Sequence, residues 1–274
     1  MRTDAGFRAM ELSGWSEIER AQNYSALFTM VTDQAIEPML DSVTLQAGAR
    51  VLDLCCGPGN VTKALCDRGH RVTGVDFSPA MVDLAAAAAP SATVKVGDAE
   101  ALELADGSFD AVVSGFGVCH FARPEVGLRE VRRVLRPGGR FAMTVWCGPD
   151  RSPTFATVFG AIGEHGDLDV PLPEGPDFFQ FANGDLTREM LEEAGFADID
   201  QTVLDIAWRL EDAETLFRIF RDSTVRGAAL IAAQSDDARA AIADACAATV
   251  MERFDREGAF VVPIPAALTT ASAV

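Results

Sequence analysis

The chain has 274 residues, 49% of them hydrophobic and 23% charged, a balance that fits an ordinary water-soluble globule with room for one large α/β domain. A formal net charge of −18 leaves no basic face for nucleic-acid phosphates and argues against an anionic membrane surface. No apolar run approaches the ~20 residues of a membrane span. The opening MRTDAGFRAMELSGW lacks the apolar segment of a signal peptide, so a cytoplasmic location is expected. The 6 cysteines form no CxxC pair and no Cys/His cluster at zinc spacing, so they read as reduced, buried thiols and no metal is expected.

In chain order, residues 13–46 read as helical with a break near Pro38. ARVLDL (49–54) is a short apolar strand, followed by a glycine-rich turn and a helix over 61–69 that stops at Gly69. RVTGVD (71–76) is a second strand. SPAMVDLAAAAA (78–89) is a helix with Ser78 as its cap and Pro79 in its first turn. ATVKVGD (92–98) and FDAVVSG (109–115) give two more strands, PEVGLREVRRVL (124–135) a helix, and RFAMTVW (140–146) a fifth strand. Residues 147–186 are rich in Pro, Gly and Phe and read as an insertion. A helix over 186–196, one long strand over 197–210, two helices within 212–257 and a final strand over 259–271 complete the chain. Pro263 and Pro265 predict an irregular or edge portion in that last strand. Strands alternating with helices imply βαβ units and a parallel sheet, whose ligands bind at the carboxyl ends of the strands.

The turn VLDLCCGPGN (51–60) therefore sits where a ligand would bind. It lacks the Gly-Lys-Ser/Thr ending of a phosphate-binding loop, since Asn60-Val61-Thr62 follows Gly59. As a dinucleotide fingerprint it supplies Gly57 and Gly59 but has Thr62 at the sixth position, a weak match. The single tyrosine, Tyr24, stands in no Tyr-x-x-x-Lys context, which disfavours a nicotinamide oxidoreductase of the short-chain type.

The same turn resembles motif I of class I S-adenosylmethionine-dependent methyltransferases, roughly hhDhxxGxG. VTGVDFSPAMV (72–82), GDAEAL (97–102), FDAVVSGFGVCHF (109–121) and LREVRRVLRPGGRFAMT (128–144) are similar to the family's later motifs in order and spacing. The resemblance covers about 49–146 and is nearest the type 11 group that includes ubiquinone and menaquinone biosynthesis methyltransferases. It implies a Rossmann-like α/β fold with a seven-stranded sheet, mostly parallel with an antiparallel final strand, plus helical cap insertions. It implies S-adenosyl-L-methionine as cofactor. On this reading 1–274 is one methyltransferase domain, with an N-terminal helical cap (1–46), a cofactor-binding core (47–146) and acceptor-side caps (147–186 and 211–258).

Carried onto this chain, the resemblance places Gly57 and Gly59 where the backbone approaches the methionine part of the cofactor. Asp53 would meet the ammonium side or order the turn. Asp76, ending the second strand, would accept from both ribose hydroxyls. Phe77 and Met81 would pack on adenine, Asp98 would receive its amino group, and Ala99 would offer a backbone N–H. Ser114 and Gly115 would meet the aminoacyl part, and Tyr24 would bond its carboxylate. The plainer alternative for each carboxylate is a helix cap or turn residue.

For the chemistry, a histidine has an unperturbed pKa of ~6.5, suited to accepting a hydroxyl proton. His70 precedes the second strand, at the wrong edge of the sheet. His120 follows the fourth strand at the active edge, and His165 lies in the insertion and can reach over it. His120 and His165 are therefore the candidate bases. Phe155, Phe159, Phe178, Phe179, Phe181, Trp208, Phe217 and Phe220 are candidates for lining an acceptor pocket or filling a core. The expected activity is methyl transfer to a small hydrophobic or aromatic acceptor, most simply at oxygen. The alternatives are an enzyme that keeps the cofactor for a cyclisation or rearrangement, and a non-catalytic S-adenosylmethionine-binding protein. The oligomeric state is left open.

Overall fold

The computed structural model describes residues 4–274. Four helices open the chain: α1 (Asp4–Trp15), α2 (Ile18–Leu27), α3 (Thr29–Thr32) and α4 (Ile36–Ser42). The expected break near Pro38 lies just ahead of it, at the 3-10 turn Asp33–Ala35 between α3 and α4. Pro38 is the third residue of α4, in the first turn, where a missing N–H costs no intrahelical bond. Further breaks follow Trp15 and Leu27.

The alternating region follows: β1 (Arg50–Leu54), α5 (Asn60–Asp67), β2 (Arg71–Asp76), α6 (Pro79–Ala88), β3 (Thr93–Val96), β4 (Phe109–Gly115), α7 (Pro124–Val134) and β5 (Leu135–Trp146). Val51, Leu52 and Leu54 of β1 and Ala111, Val112 and Val113 of β4 are all fully buried, as strands covered by helices on both faces must be. Helix α6 begins as its sequence predicts, with Ser78 Oγ accepting from Met81 N–H at 3.2 Å and Pro79 in the first turn. Helix α7 buries Leu128, Val131 and Val134 against the sheet.

Beyond β5 come α8 (Pro153–His165), α9 (Gly184–Glu193), β6 (Phe196–Leu204), β7 (Ala207–Leu210), α10 (Thr215–Ser223), α11 (Arg226–Ala232), α12 (Asp236–Phe254), β8 (Asp255–Arg256), β9 (Ala259–Pro263) and β10 (Ala266–Ala273). The main sheet has 7 strands in the order β3-β2-β1-β4-β5-β10-β6. Only β10 runs antiparallel to its neighbours, β5 on one side and β6 on the other. The Rossmann-like sheet with an antiparallel final strand is thus present. The direction of chain progression reverses between β1 and β4, which opens a crevice at their carboxyl ends.

Three sequence expectations are corrected here. The single strand over 197–210 is two strands, β6 in the main sheet and β7 in a separate 3-stranded sheet, β7-β9-β8. The final strand is likewise two, β9 and β10, divided at Pro263-Ile264-Pro265. Both divisions lie side by side: Ile264 N–H donates to Ile206 O at 2.9 Å as the paired segments leave one sheet for the other. Prolines at the crossing cost nothing, because no ladder bond is required of them there. Third, residues 212–257 hold three helices rather than two, with the break between α10 and α11 at Thr224-Val225.

The cap elements share a core of their own. Trp208, Leu216, Phe217, Ile219 and Phe220 pack with Ile162 of α8 and with Ile242, Cys246 and Val250 of α12. Residues 147–165 and 236–254, far apart in sequence, are thereby joined over the carboxyl edge of the sheet. Among the described residues no helix is long and apolar enough to cross a membrane.

Candidate cofactor and acceptor site

The turn after β1 is built on left-handed backbone. Cys55 (φ 57°), Gly57 (φ 51°) and Gly59 (φ 91°) all lie in that region. Gly57 N–H points away from the turn and donates to Asp76 Oδ2 at 2.9 Å, while Ser78 N–H donates to Oδ1, also at 2.9 Å. Asp76 is buried, and burial pushes its carboxyl above the ordinary range. Each of its oxygens keeps accepting capacity beyond these bonds. A carboxylate fixed in this way by two backbone amides is preorganised to receive a vicinal diol.

Around Asp76 lies a cleft of about 770 Å³ that gathers many of the expected residues: Tyr24, Gly57, Asp76, Phe77, Met81, Gly115 and His120 all line it. A smaller cavity continues past Asp76 and Phe77 to Asp98 and Ala99. Asp98 is not free there. Its Oδ2 pairs with Arg8 of α1 at 2.5 Å and its Oδ1 accepts from Glu100 N–H at 2.9 Å.

Four of the expected residues lie elsewhere. Gly59 lines neither cavity; a Cβ there would fall 2.7 Å from Cα of Ala85, so its lack of a side chain serves the contact between α5 and α6 rather than a ligand. Asp53 is buried beneath the turn and accepts from Thr62 Oγ1 at 2.5 Å, which leaves it ordering the turn. Ser114 is fully buried under Gly117, where a Cβ would come 2.8 Å from its Oγ. His165 ends α8 with its side chain 34% exposed, 3.9 Å from Glu164, and lines none of the site cavities.

A third cavity, of about 760 Å³, opens from the cleft under the cap. Phe155, Phe159, Phe178, Phe179 and Phe220 line it as expected, together with Phe28 and Trp146. Phe181, Trp208 and Phe217 are instead core residues. Trp15, Tyr24, Phe116 and His120 face both this cavity and the cleft. Phe116 stands at the junction with φ 59°, an unusual conformation for a bulky side chain, and its ring stacks on Trp146 with centroids 3.9 Å apart. Tyr24 stacks on Phe28 at 5.1 Å, and burial raises its phenol well above the ordinary range, so it remains a neutral donor.

His120 lies in the short 3-10 turn after β4. Its Nδ1 is 2.8 Å from Oε2 of Glu11, a residue of α1 that is only 1% exposed. The same Oε2 accepts from Trp15 Nε1 at 3.0 Å. Burial alone would lower the imidazole pKa; the interactions of Cys119 and of the Glu11 carboxylate with the ring outweigh it and carry it well above the usual value. Glu11, Trp15, Arg8 and Phe116 are site residues that the sequence reading did not single out. The first three lie in a helix without a motif, and Phe116 lies within the FDAVVSGFGVCHF stretch but is set apart there only by its backbone angle. Among the described residues no group of three or more His, Cys, Asp or Glu is placed to hold a metal ion.

A parallel sheet with this strand order, a glycine turn after β1 and an acidic residue ending β2 define the class I methyltransferase architecture. A methyltransferase domain model matches residues 52–143. The chain is 34% identical over 175 residues to a demethylmenaquinone methyltransferase of Mycolicibacterium vanbaalenii, covering 58% of this chain and 73% of that one. It is 40% identical over 121 residues to the demethylmenaquinone methyltransferase of Beutenbergia cavernae, covering 44% and 50%. The chain thus spans about half the length of the Beutenbergia relative. The crystal structure of the YcgJ protein from Bacillus subtilis superposes with a TM-score of 0.58 at 20% identity, over 88% of this chain and 98% of that one, a likeness of fold. The chain belongs to the class I S-adenosylmethionine-dependent methyltransferases, in the type 11 group, and S-adenosylmethionine is the cofactor of this family.

Proposed function

We propose that this protein transfers the methyl group of S-adenosylmethionine to a hydroxyl of a small aromatic acceptor held in the cavity of rings beneath the cap. The observation that carries the reading is the shared wall: Trp15, Tyr24, Phe116 and His120 border both the cofactor cleft and the aromatic cavity. An acceptor among those rings is presented directly to the cofactor.

The donor set suits the cofactor. Asp76 would take the ribose hydroxyls, Phe77 and Met81 would supply apolar walls for the adenine, and Asp98 and Ala99 would meet its edge. Gly57, Gly115 and Tyr24 would border the methionine part. When bound, S-adenosylmethionine supplies a methyl group activated on a sulfonium. The chain's own work is to align the acceptor and exclude water, which accounts for much of the barrier in such displacements. His120 would act as general base, taking the acceptor hydroxyl's proton at Nε2, with bound S-adenosylmethionine supplying the methyl group to that oxygen and the neutral thioether as its leaving group. The relatives' name points to demethylmenaquinone as their acceptor; that likeness supports a flat ring among these aromatic side chains, while the hydroxyl target rests on His120 at the shared wall.

The test is incubation with S-adenosylmethionine and a panel of phenols, quinols and quinones, following S-adenosylhomocysteine by chromatography and the methylated product by mass. Stoichiometric thioether and methyl ether support the reading. Tight cofactor binding with a transformed acceptor but no thioether would replace it with cofactor-retaining cyclisation or rearrangement chemistry.

A further inference from the structure

We propose that Glu11 of α1 is the positioning residue for His120: its carboxylate holds the Nδ1 proton and so turns Nε2 of the ring to the acceptor cavity. The inference rests on the proposed role of His120 and adds a second residue to it, from a helix outside the region the family model matches.

The geometry is specific. Glu11 and His120 are 109 residues apart, yet Oε2 and Nδ1 lie 2.8 Å from one another. Glu11 is 1% exposed and carries no arginine or lysine partner among the described residues; its only other bond is from Trp15 Nε1 to the same oxygen. Trp15 also meets the imidazole edge-on, with centroids 5.4 Å apart, so one helix fixes both the tilt and the tautomer of the ring. A buried carboxylate is costly unless its partners compensate, and here the imidazole is the one titratable partner. Oε1 of Glu11 is buried without a hydrogen-bond partner, and the residue lines both the adenine-side cavity and the aromatic cavity. A carboxylate retained on such terms is explained by what it does to the histidine, since the tautomer of an imidazole is set by the bond its other nitrogen makes.

The other titratable or charged groups facing the ring are Cys119 beside it, Asp33, Cys55, Cys56, Asp76 and Tyr24 in the cofactor cleft, Arg8, Asp98 and Glu100 in the smaller cavity and Arg226 in the aromatic cavity. Asp76, like Glu11, favours the imidazolium, and Arg226 opposes it. Glu11 is the carboxylate in direct contact with the ring.

The experiment is heteronuclear NMR of the full chain labelled with ¹⁵N,¹³C-histidine, in which only 3 histidines report. The His120 signals are identified by their loss in His120→Gln. In the wild type, neutral His120 is expected as the Nδ1–H tautomer, with its titration midpoint above that of a free imidazole. In Glu11→Gln the midpoint moves to lower pH while those of His70 and His165 stay in place, and Glu11→Asp restores part of the shift. A purely structural role would lower the melting temperature and leave the midpoint alone. An Nε2–H tautomer in the wild type, which needs no variant to observe, overturns the proposal, as does an unmoved midpoint in Glu11→Gln. These readouts need no acceptor, so loss of the dyad is distinguishable from failure to find methyl transfer.

Discussion

Thr62 Oγ1 lies 2.5 Å from Oδ2 of Asp53, joining the first turn of α5 to the end of β1 beneath the glycine turn. Burial lifts the Asp53 carboxyl to about 7, against the opposing effect of the Thr62 bond. The unfolded chain releases the same proton near ~3.9. Between those values the folded state holds the extra proton, so this residue makes stability fall as pH rises from about 4 to about 7, and no further above that. Asp53→Asn should flatten that slope while keeping the acceptor for Thr62. Urea midpoints measured across the range check it; an unchanged slope assigns the pH dependence elsewhere.

Asp76 takes two backbone amides and faces the cleft. Asp76→Ala should weaken S-adenosylhomocysteine binding by ~1–3 kcal/mol, the cost of leaving hydroxyls without their acceptor. Calorimetric titration reads this directly. Unchanged affinity removes the residue from the ribose role.

The two glycines of the turn should separate when each is changed to alanine. Gly59→Ala combines a left-handed backbone with a Cβ 2.7 Å from Cα of Ala85, and should cost about 3 kcal/mol of stability. Gly57→Ala meets no protein atom within 4 Å and should cost about 1 kcal/mol in stability. Its main effect should be on cofactor affinity, because Gly57 lines the cleft. Thermal melts and cofactor titrations on both variants decide the assignment.

Cys119 and the Glu11 carboxylate hold the His120 midpoint well above its ordinary range, and only the neutral ring can accept a proton. Methyl transfer to a phenol should therefore increase with pH through the His120 midpoint and level off above it. His120→Ala should lower turnover by about 10²-fold or more with little change in cofactor affinity. Retained turnover would mean the acceptor sheds its proton without this base.

Phe178 meets His120 edge-on at 5.6 Å and lines the aromatic cavity but not the cofactor cleft. Phe178→Ala should raise the acceptor KM about tenfold and leave S-adenosylhomocysteine binding unchanged. Equal losses in both would show that the two spaces are not separable.

The sheet is legible in the sequence because each strand of the core is a short apolar run closed by a turn signal, and Asp76 and Gly57 are read at the ends of such runs. The cap is less so. Phe155 and Phe181 both lie in the Phe-rich stretch after β5, yet the first lines a cavity and the second is sealed in the core. What separates them is tertiary packing: Phe181 joins Phe141, Leu191 and Phe196 in the core of the main sheet. Glu11 is illegible for a different reason: it follows no spacing rule, and its partner lies 109 residues away. Gly59, expected against the methionine part of the cofactor, bears on α6 instead, and Asp53 bears on Thr62 beneath the turn rather than on the cleft.

The place of β10 sets an order on assembly. It is the last strand of the main sheet to leave the ribosome, yet it lies between β5 and β6 and is the pairing partner that attaches β6 to the rest. Until residues 266–273 emerge, β6 has no ladder to join and β5 presents an open edge. The 7-stranded sheet is therefore complete only when residues 266–273 have been threaded into the gap between β5 and β6.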